Sequence, residues 1–289
     1  MFLSHLFKAV RPHHWAKNLL IFLPAIMSHL IFDPIVLKNA ILAFFSFSFV
    51  ASTGYLINDI IDFNSDKKNE YKAKRPLASG TVSKNIYLVL AVCLFVAAII
   101  LSFAISRDFL MILLIYFVLS LSYSYFLKSI LALDVLVLAG FYALRVFAGS
   151  VATNVSVSEW LLSFCLFFFL SLALGKRATE LNNTEVEVLS NRRAYQKSDL
   201  NILSQIGVCL GLLSVLVLAF YVTSTHVATL YSTPKILWGL CFILIYWITR
   251  FWILVSQGKV EEDPVVFALK DLATYISAIL IAVTIIISV

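Results

Sequence analysis

"YLINDIIDFNSDKKNEYKAKRPLASG", residues 55–80, joins two apolar runs and carries four carboxylates and five cations between Asn58 and Arg75. The runs on either side decide the fold. The 289-residue chain is 61% hydrophobic and only 13% charged, with a mean hydropathy of +0.95. Soluble domains carry about 25% charged residues, so the composition excludes an ordinary soluble globule and indicates a polytopic membrane protein. Lipid offers backbone amides no partners, which leaves helices as the spanning elements for such long apolar runs.

Apolar windows of spanning length occur at residues 18–37, 38–57, 85–106, 108–127, 131–152, 159–175, 201–223, 235–255 and 269–289. The expected fold is therefore an all-α integral membrane protein with nine transmembrane helices, forming a single domain over residues 1–289. The first window is the weakest, because Pro24 interrupts it and Asp33 lies near its end. No small-residue cleavage site follows it, so an uncleaved first helix is expected. With the N-terminus inside, 18 of the 22 Lys and Arg fall on the inner side and 3 on the outer, while Arg145 lies within a span. This asymmetry obeys the positive-inside rule. Twelve of the carboxylates share that inner face, which orientation rules do not require, so a polar site is expected there. Two inner loops are long, residues 58–84 and 176–200, and their spacing, four spans apart, suggests two structurally similar halves.

In the first loop, N-D-x-x-D-x-x-x-D places Asp59, Asp62 and Asp66 at offsets of three, four and seven. On a helix continuing the second span these share one face, and Glu70 extends the row. Stacked carboxylates repel, so a positive partner is required. Oxygen-only ligands suit a hard cation such as Mg2+, which binds through one or two carboxylates plus substrate phosphates. Lys67, Lys68, Lys72, Lys74 and Arg75 follow at once, so a metal–phosphate site accounts for both signs. Pro76 then disfavours helical geometry at Arg75. A solvated loop balanced by its own lysines is the competing reading.

The second loop, "GKRATELNNTEVEVLSNRRAYQKSDL", offers Lys176, Arg177, Glu180, Arg192, Arg193, Tyr195 and Lys197 but no matching acidic motif. Its bases serve either to hold phosphate or to anchor the loop at the lipid surface. Arg11, Trp15 and Lys17 in "RPHHWAKNLL" read as an interfacial anchor or as a phosphate ligand at the mouth of the site. Asp134 and Arg145 share a face of the fifth window, about 16 Å apart along the axis, and intramembrane charges are functional suspects; helix packing is the alternative for each. Tyr123 and Tyr125 read as belt aromatics or pocket lining. Cys93, Cys165, Cys209 and Cys241 sit in apolar windows without pairing or ligand spacing and read as small core hydrophobes.

The acidic motif after the second window, together with "RPHHWAKN", "KRPLASG", "LDVLVLAGFYALRVFAG" and "GKRATEL", resembles the UbiA superfamily of membrane prenyltransferases, nearest to its decaprenyl-phosphate phosphoribosyltransferase branch. These segments spread over most of the chain. The resemblance implies a UbiA-like bundle in the bacterial inner membrane, with the N-terminus and active-site loops cytoplasmic. It implies Mg2+-dependent transfer of 5-phosphoribosyl from 5-phosphoribosyl 1-diphosphate to a polyprenyl phosphate, with cell-wall biosynthesis as the setting. It also implies metal ligation and catalysis by Asp59, Asp62 and Asp66, and substrate binding by Lys17, Asn58, Arg75, Lys176, Arg177, Glu180 and Tyr195. Ring-prenylating members carry a second acidic motif where this chain has Gly175, Lys176, Arg177 and Glu180, which implies a site richer in phosphate. Partners besides membrane lipids are these two substrates, with no nucleic acid; a homo-oligomer is compatible. Prenyl transfer from a prenyl diphosphate to an aromatic or other acceptor is the alternative activity. A transporter is a third class, disfavoured because only Arg145 is deep in a span.

Overall fold

The structure is a computed structural model that describes residues 2–68, 72–183, 195–260 and 264–288; Glu70, Arg192 and Arg193 lie outside the described residues. The apolar windows fold as helices: α1 (Phe2–Val10), α2 (Leu23–Met27), α3 (Pro34–Ile61), α4 (Phe63–Asp66), α5 (Lys84–Phe103), α6 (Arg107–Tyr125), α7 (Leu133–Thr153), α8 (Glu159–Asn183), α9 (Leu200–Val222), α10 (Thr225–Leu230), α11 (Trp238–Ser256), α12 (Pro264–Ala268) and α13 (Leu272–Ser288). Among the described residues there is no strand. Among the described residues, seven helices, α3, α5, α6, α7, α8, α9 and α11, are long and apolar enough to cross a membrane, and α13 is a shorter apolar helix.

The first expected window, 18–37, is not one helix. A 3-10 helix covers Pro12–Phe22 and α2 follows. His29 then turns at φ 61°, and α3 begins at Pro34, where Asp33 Oδ1 accepts from the amides of Ile35 and Val36. Proline at the first helical position and a side-chain acceptor before it form a strong start signal, so the second span begins earlier than its hydropathy suggests. An eleven-residue 3-10 run is unusual, and side-chain bonds tie it down. Trp15 Nε1 donates to Ser52 Oγ at 3.0 Å, and Asn18 Nδ2 donates to Ser48 Oγ at 2.9 Å. The buried face of α3 there is rich in Ala, Ser, Thr and Gly, small residues that let backbone approach closely.

The chain divides into two compact units, Met1–Tyr125 with Leu144–Ser156, and Phe126–Ala143 with Val157–Val289. In the first unit α3 packs on α1, α5, α6 and the 3-10 segment. Arg145 is buried there: its Nε donates to Asn18 Oδ1 at 2.7 Å, and a terminal nitrogen donates to Tyr116 Oη at 2.9 Å. This is the packing role open to that residue from the sequence, and it locks the "RPHHWAKN" segment in place.

In the second unit α8, α9 and α11 pack together around Gly207. Ser171 Oγ donates to the Gly207 carbonyl at 2.7 Å, and Trp252 Nε1 donates to Ser171 Oγ at 3.1 Å. A Cβ at Gly207 would collide with the Trp252 indole. Gly207→Val is therefore expected to destabilise the protein by about 1–3 kcal/mol through overpacking, read as a lower melting temperature in detergent.

Candidate active site

Helix α3 stops at Ile61, but its backbone bonds continue: the Asp62 amide donates to the Asn58 carbonyl and the Asp66 amide to the Asp62 carbonyl, both at 2.8 Å. Asp59 and Asp66, seven residues apart, are both buried, at 3% and 2% exposure. They meet a common partner. One terminal nitrogen of Arg75 donates to Asp59 Oδ1 at 3.0 Å and to Asp66 Oδ2 at 2.6 Å. Arg11 also donates to Asp59 Oδ1, at 2.6 Å, and Lys72 Nζ stands 3.9 Å from Asp66 Oδ1. Two carboxylates taken out of water beside each other are thus neutralised by two guanidinium groups, as buried charge requires.

Both arginines are placed by their local backbone. Arg11 occupies the left-handed region at φ 55° and ψ 58°, a conformation costing about 1–3 kcal/mol in a non-glycine residue; that turn joins α1 to the 3-10 segment and sends the guanidinium to Asp59. Arg75 leads "RPLASG", which closes as a tight turn: the Ser79 amide donates to the Arg75 carbonyl at 2.9 Å and the Val82 amide to the Pro76 carbonyl at 3.1 Å. Gly80 takes φ 76° there, a value that favours glycine. Leu77 and Val82 are buried with Ala9, Leu56, Tyr87 and Ala91, so the loop plugs into the core and holds Arg75 over the aspartates.

The first carboxylate set keeps unspent capacity. Asp59 Oδ2 and Asp66 Oδ1 are buried without a hydrogen-bond partner, and so is the hydroxyl of Tyr87. Tyr87 lies within electrostatic reach of Asp59, Arg11 and Arg75. Among the described residues no group of three or more His, Cys, Asp or Glu is arranged to hold a metal ion. The two orphaned carboxylate oxygens nevertheless fit Mg2+, a hard cation content with one or two protein carboxylates when phosphates complete its shell. Asp62 is half-buried between them in sequence, and its carbonyl accepts from Ser65 Oγ. Asn58 Nδ2 donates to Ser124 Oγ at 2.9 Å, which pins α3 to α6. Lys17 is half-buried on the 3-10 segment.

The second unit holds the other predicted set. Asp134, fully buried at the start of α7, accepts from Arg177 Nε at 2.5 Å and from the Tyr195 hydroxyl at 2.7 Å. Arg177 also donates to Glu180 Oε2 at 2.6 Å. The Ala132 amide donates to the Tyr195 oxygen at 3.1 Å. Burial first, then the hydrogen bond to Asp134, pushes the Tyr195 phenol well above its ordinary pKa, so it stays a donor at neutral pH. Glu180 and Tyr195 thus converge on Arg177 and Asp134, while Lys176 is half-buried beside them in sequence. Sequence reading placed Arg177, Glu180 and Tyr195 in the site but left Asp134 between support and packing. It undervalued Arg11, whose signal was the proline after it, and missed Tyr87, which reads as one more aromatic in an apolar window.

The protein is thus an all-helical bundle whose buried carboxylates meet guanidinium groups, and two of their oxygens keep no hydrogen-bond partner. The chain belongs to the UbiA prenyltransferase family, whose sequence model matches residues 19–279; members of that family are transferases. It is 30% identical to the nodulation protein NoeC of Azorhizobium caulinodans over 91% of this chain and 86% of that protein. It is 33% identical to the decaprenyl-phosphate phosphoribosyltransferase of Mycolicibacterium smegmatis over 72% of this chain and 70% of that one. Another curated relative, 30% identical, is longer, and the chain spans 54% of its length. The fold matches the structure of a UbiA homologue from Archaeoglobus fulgidus bound to GPP and Mg2+, with a TM-score of 0.71 and 16% identity, covering 97% of this chain and 96% of that one.

Two substitutions check the first cluster. Arg75→Lys keeps the charge but loses the planar guanidinium that reaches both carboxylates, and is expected to cut turnover at least ~10-fold, about 1.4 kcal/mol in the barrier. Tyr87→Phe removes only the orphaned hydroxyl; a several-fold fall in kcat/KM with an unchanged melting temperature is expected, measured on the purified protein in detergent.

Proposed function

We propose that the protein transfers 5-phosphoribosyl from 5-phosphoribosyl 1-diphosphate to a polyprenyl phosphate, giving polyprenyl-phosphoryl 5-phosphoribose and diphosphate. The observation that carries this reading is the guanidinium gathered at buried carboxylates: Arg11 and Arg75 on Asp59 and Asp66, and Arg177 on Asp134 and Glu180. A reaction between two phosphorylated anions needs fixed positive charge more than it needs a base. The lipid phosphate is already anionic at neutral pH, and its oxygen forms the new bond to the anomeric carbon. The bond from that carbon to diphosphate breaks, and the electron pair leaves on the diphosphate. No proton has to be removed, in keeping with a sequence that offers no well-placed histidine base.

Asp59, Asp62 and Asp66 are the residues that would hold Mg2+, which when bound offsets the charge gathering on the diphosphate. Arg75 and Arg11, tied to the same carboxylates, are poised to exchange an aspartate oxygen for a phosphate oxygen. Lys17, Lys176 and Arg177 are assigned to the ribose 5-phosphate and the lipid phosphate. Asp134, Glu180 and Tyr195 orient Arg177, and Glu180, 25% exposed, also contacts a ribose hydroxyl in this reading. Asn58 holds the end of α3 in position.

This reading sets the chain in the bacterial inner membrane as one catalytic domain, with the N-terminus and both polar loops cytoplasmic. Its nine crossings are the seven long helices, α13, and the segment Pro12–Met27. Eleven 3-10 residues and five α-helical residues extend roughly 30 Å, the thickness of the hydrocarbon layer.

The test uses purified protein, Mg2+ and radiolabelled 5-phosphoribosyl 1-diphosphate. Label should enter the lipid phase only when polyprenyl phosphate is present, and chelation should stop it. Asp59→Asn and Asp66→Asn are each expected to lower the rate by at least ~100-fold, about 2.7 kcal/mol, with folded protein retained. If label stays aqueous while a prenyl diphosphate is consumed, the activity is prenyl transfer instead.

A further inference from the structure

The first unit carries a second cationic feature that takes no part in the carboxylate cluster. Phe63 opens α4, and two lysines lie over its ring: Lys67 Nζ at 4.3 Å and Lys84 Nζ at 4.4 Å from the centroid. Both side chains are exposed, and among the described residues neither has an ion-pair partner. The two ammonium groups are therefore within ~9 Å of each other, inside a Debye length, and repel. The ring's negative face holds each one but does not cancel the charge, so the pair presents a concentrated positive potential to an anion.

Phe63 packs on the buried cluster of Ala9, Leu56, Leu77, Val82, Tyr87 and Ala91, beside Leu6, Ile86 and Leu90. Those last three, with Asn85, Val89 and Cys93, line an open groove of about 360 Å³ between α1 and α5. Lys84 directly precedes Asn85, so the charged pair stands at one end of this apolar groove. The groove's wall belongs to α5, a spanning helix, and to α1, a nine-residue amphipathic helix whose Phe7 is exposed, as expected of a helix lying at a membrane surface.

We propose that the Lys67–Phe63–Lys84 clamp and the adjoining groove bind one anionic membrane phospholipid, its phosphodiester between the two ammonium groups and one acyl chain against Leu6, Ile86 and Val89. The groove confers little preference by itself, since a chain leaving the bilayer exchanges one apolar contact for another. The charge supplies the selectivity, because basic side chains beside a membrane attract anionic headgroups. Lysine suits such a role: it is a compact point charge on a flexible stem, able to follow an exchanging headgroup. The occupant is a bilayer lipid and not the phosphorylated substrate, because the two lysines are exposed and stand outside the Arg11–Arg75–Asp59–Asp66 cluster to which the reaction is assigned. This inference does not depend on the reaction assigned above.

The full chain is reconstituted in nanodiscs of phosphatidylcholine with or without phosphatidylglycerol. Native mass spectrometry counts retained lipid, and melting temperature is followed in parallel. Wild-type protein should retain one phosphatidylglycerol in preference to phosphatidylcholine and melt several degrees higher when it is present. The Lys67→Gln/Lys84→Gln variant should lose both effects while melting as wild type in phosphatidylcholine alone. Val89→Trp, which fills the groove with both lysines intact, should lose the retained lipid. Absence of a preference in the wild type overturns the proposal, as does its persistence in either variant. A rise in KM for polyprenyl phosphate in the double-lysine variant, with lipid retention unaltered, overturns it too and makes the clamp a substrate contact.

Discussion

Burying two carboxylates side by side is the constraint on which the first unit is built. Asp59 and Asp66 are almost inaccessible to water, and each would carry a prohibitive desolvation cost without a cation against it. Arg75 meets both and Arg11 reinforces Asp59. To bring those arginines there, the chain adopts a left-handed turn at Arg11 and a core-plugged turn from Arg75 to Val82. The 3-10 segment, the serine-lined face of α3 and the buried Arg145 follow as the means of fixing the approach. Helix packing here serves the charges as much as it serves apolar burial.

The same logic recurs in the second unit with different parts. Asp134 lies at the start of α7 and is neutralised by Arg177, which also meets Glu180, while the Tyr195 hydroxyl and the Val135 amide both donate to Asp134 Oδ1. A buried ionic network of this kind is weak evidence for stability, because apolar residues of similar volume pack as well or better. Its retention in a chain with so little charge points to use. The first network is incomplete as it stands, with two carboxylate oxygens and a phenol unsatisfied, and buried groups left in that condition are natural places for a ligand to complete the set.

Much of the fold was legible because lipid solvation imposes a simple rule: long apolar runs are helices. Most of the windows fold as spanning helices, and the first, which Pro24 and Asp33 marked as interrupted, folds as a 3-10 segment and a short α-helix and not as one helix. The site was legible in part. The offsets of Asp59 and Asp66 did place them on one side, since the helical bonds persist through Asp62. The sequence could not show that arginine from two separate segments would claim them, because Arg11 and Asp59 are 48 residues apart and no local pattern links them.

Composition and spacing alone determined that this is an all-helical membrane protein, where its polar segments lie, and that its acidic motif needs a positive counterpart. These properties depend on local hydrophobicity and helical periodicity, which any short window carries. Tertiary structure decided which cation answers which carboxylate, made Arg145 a packing residue and Asp134 the hub of a network, and brought Tyr87 within electrostatic reach of Asp59. Those outcomes turn on distances between residues remote in the chain, and only the packed helices set them.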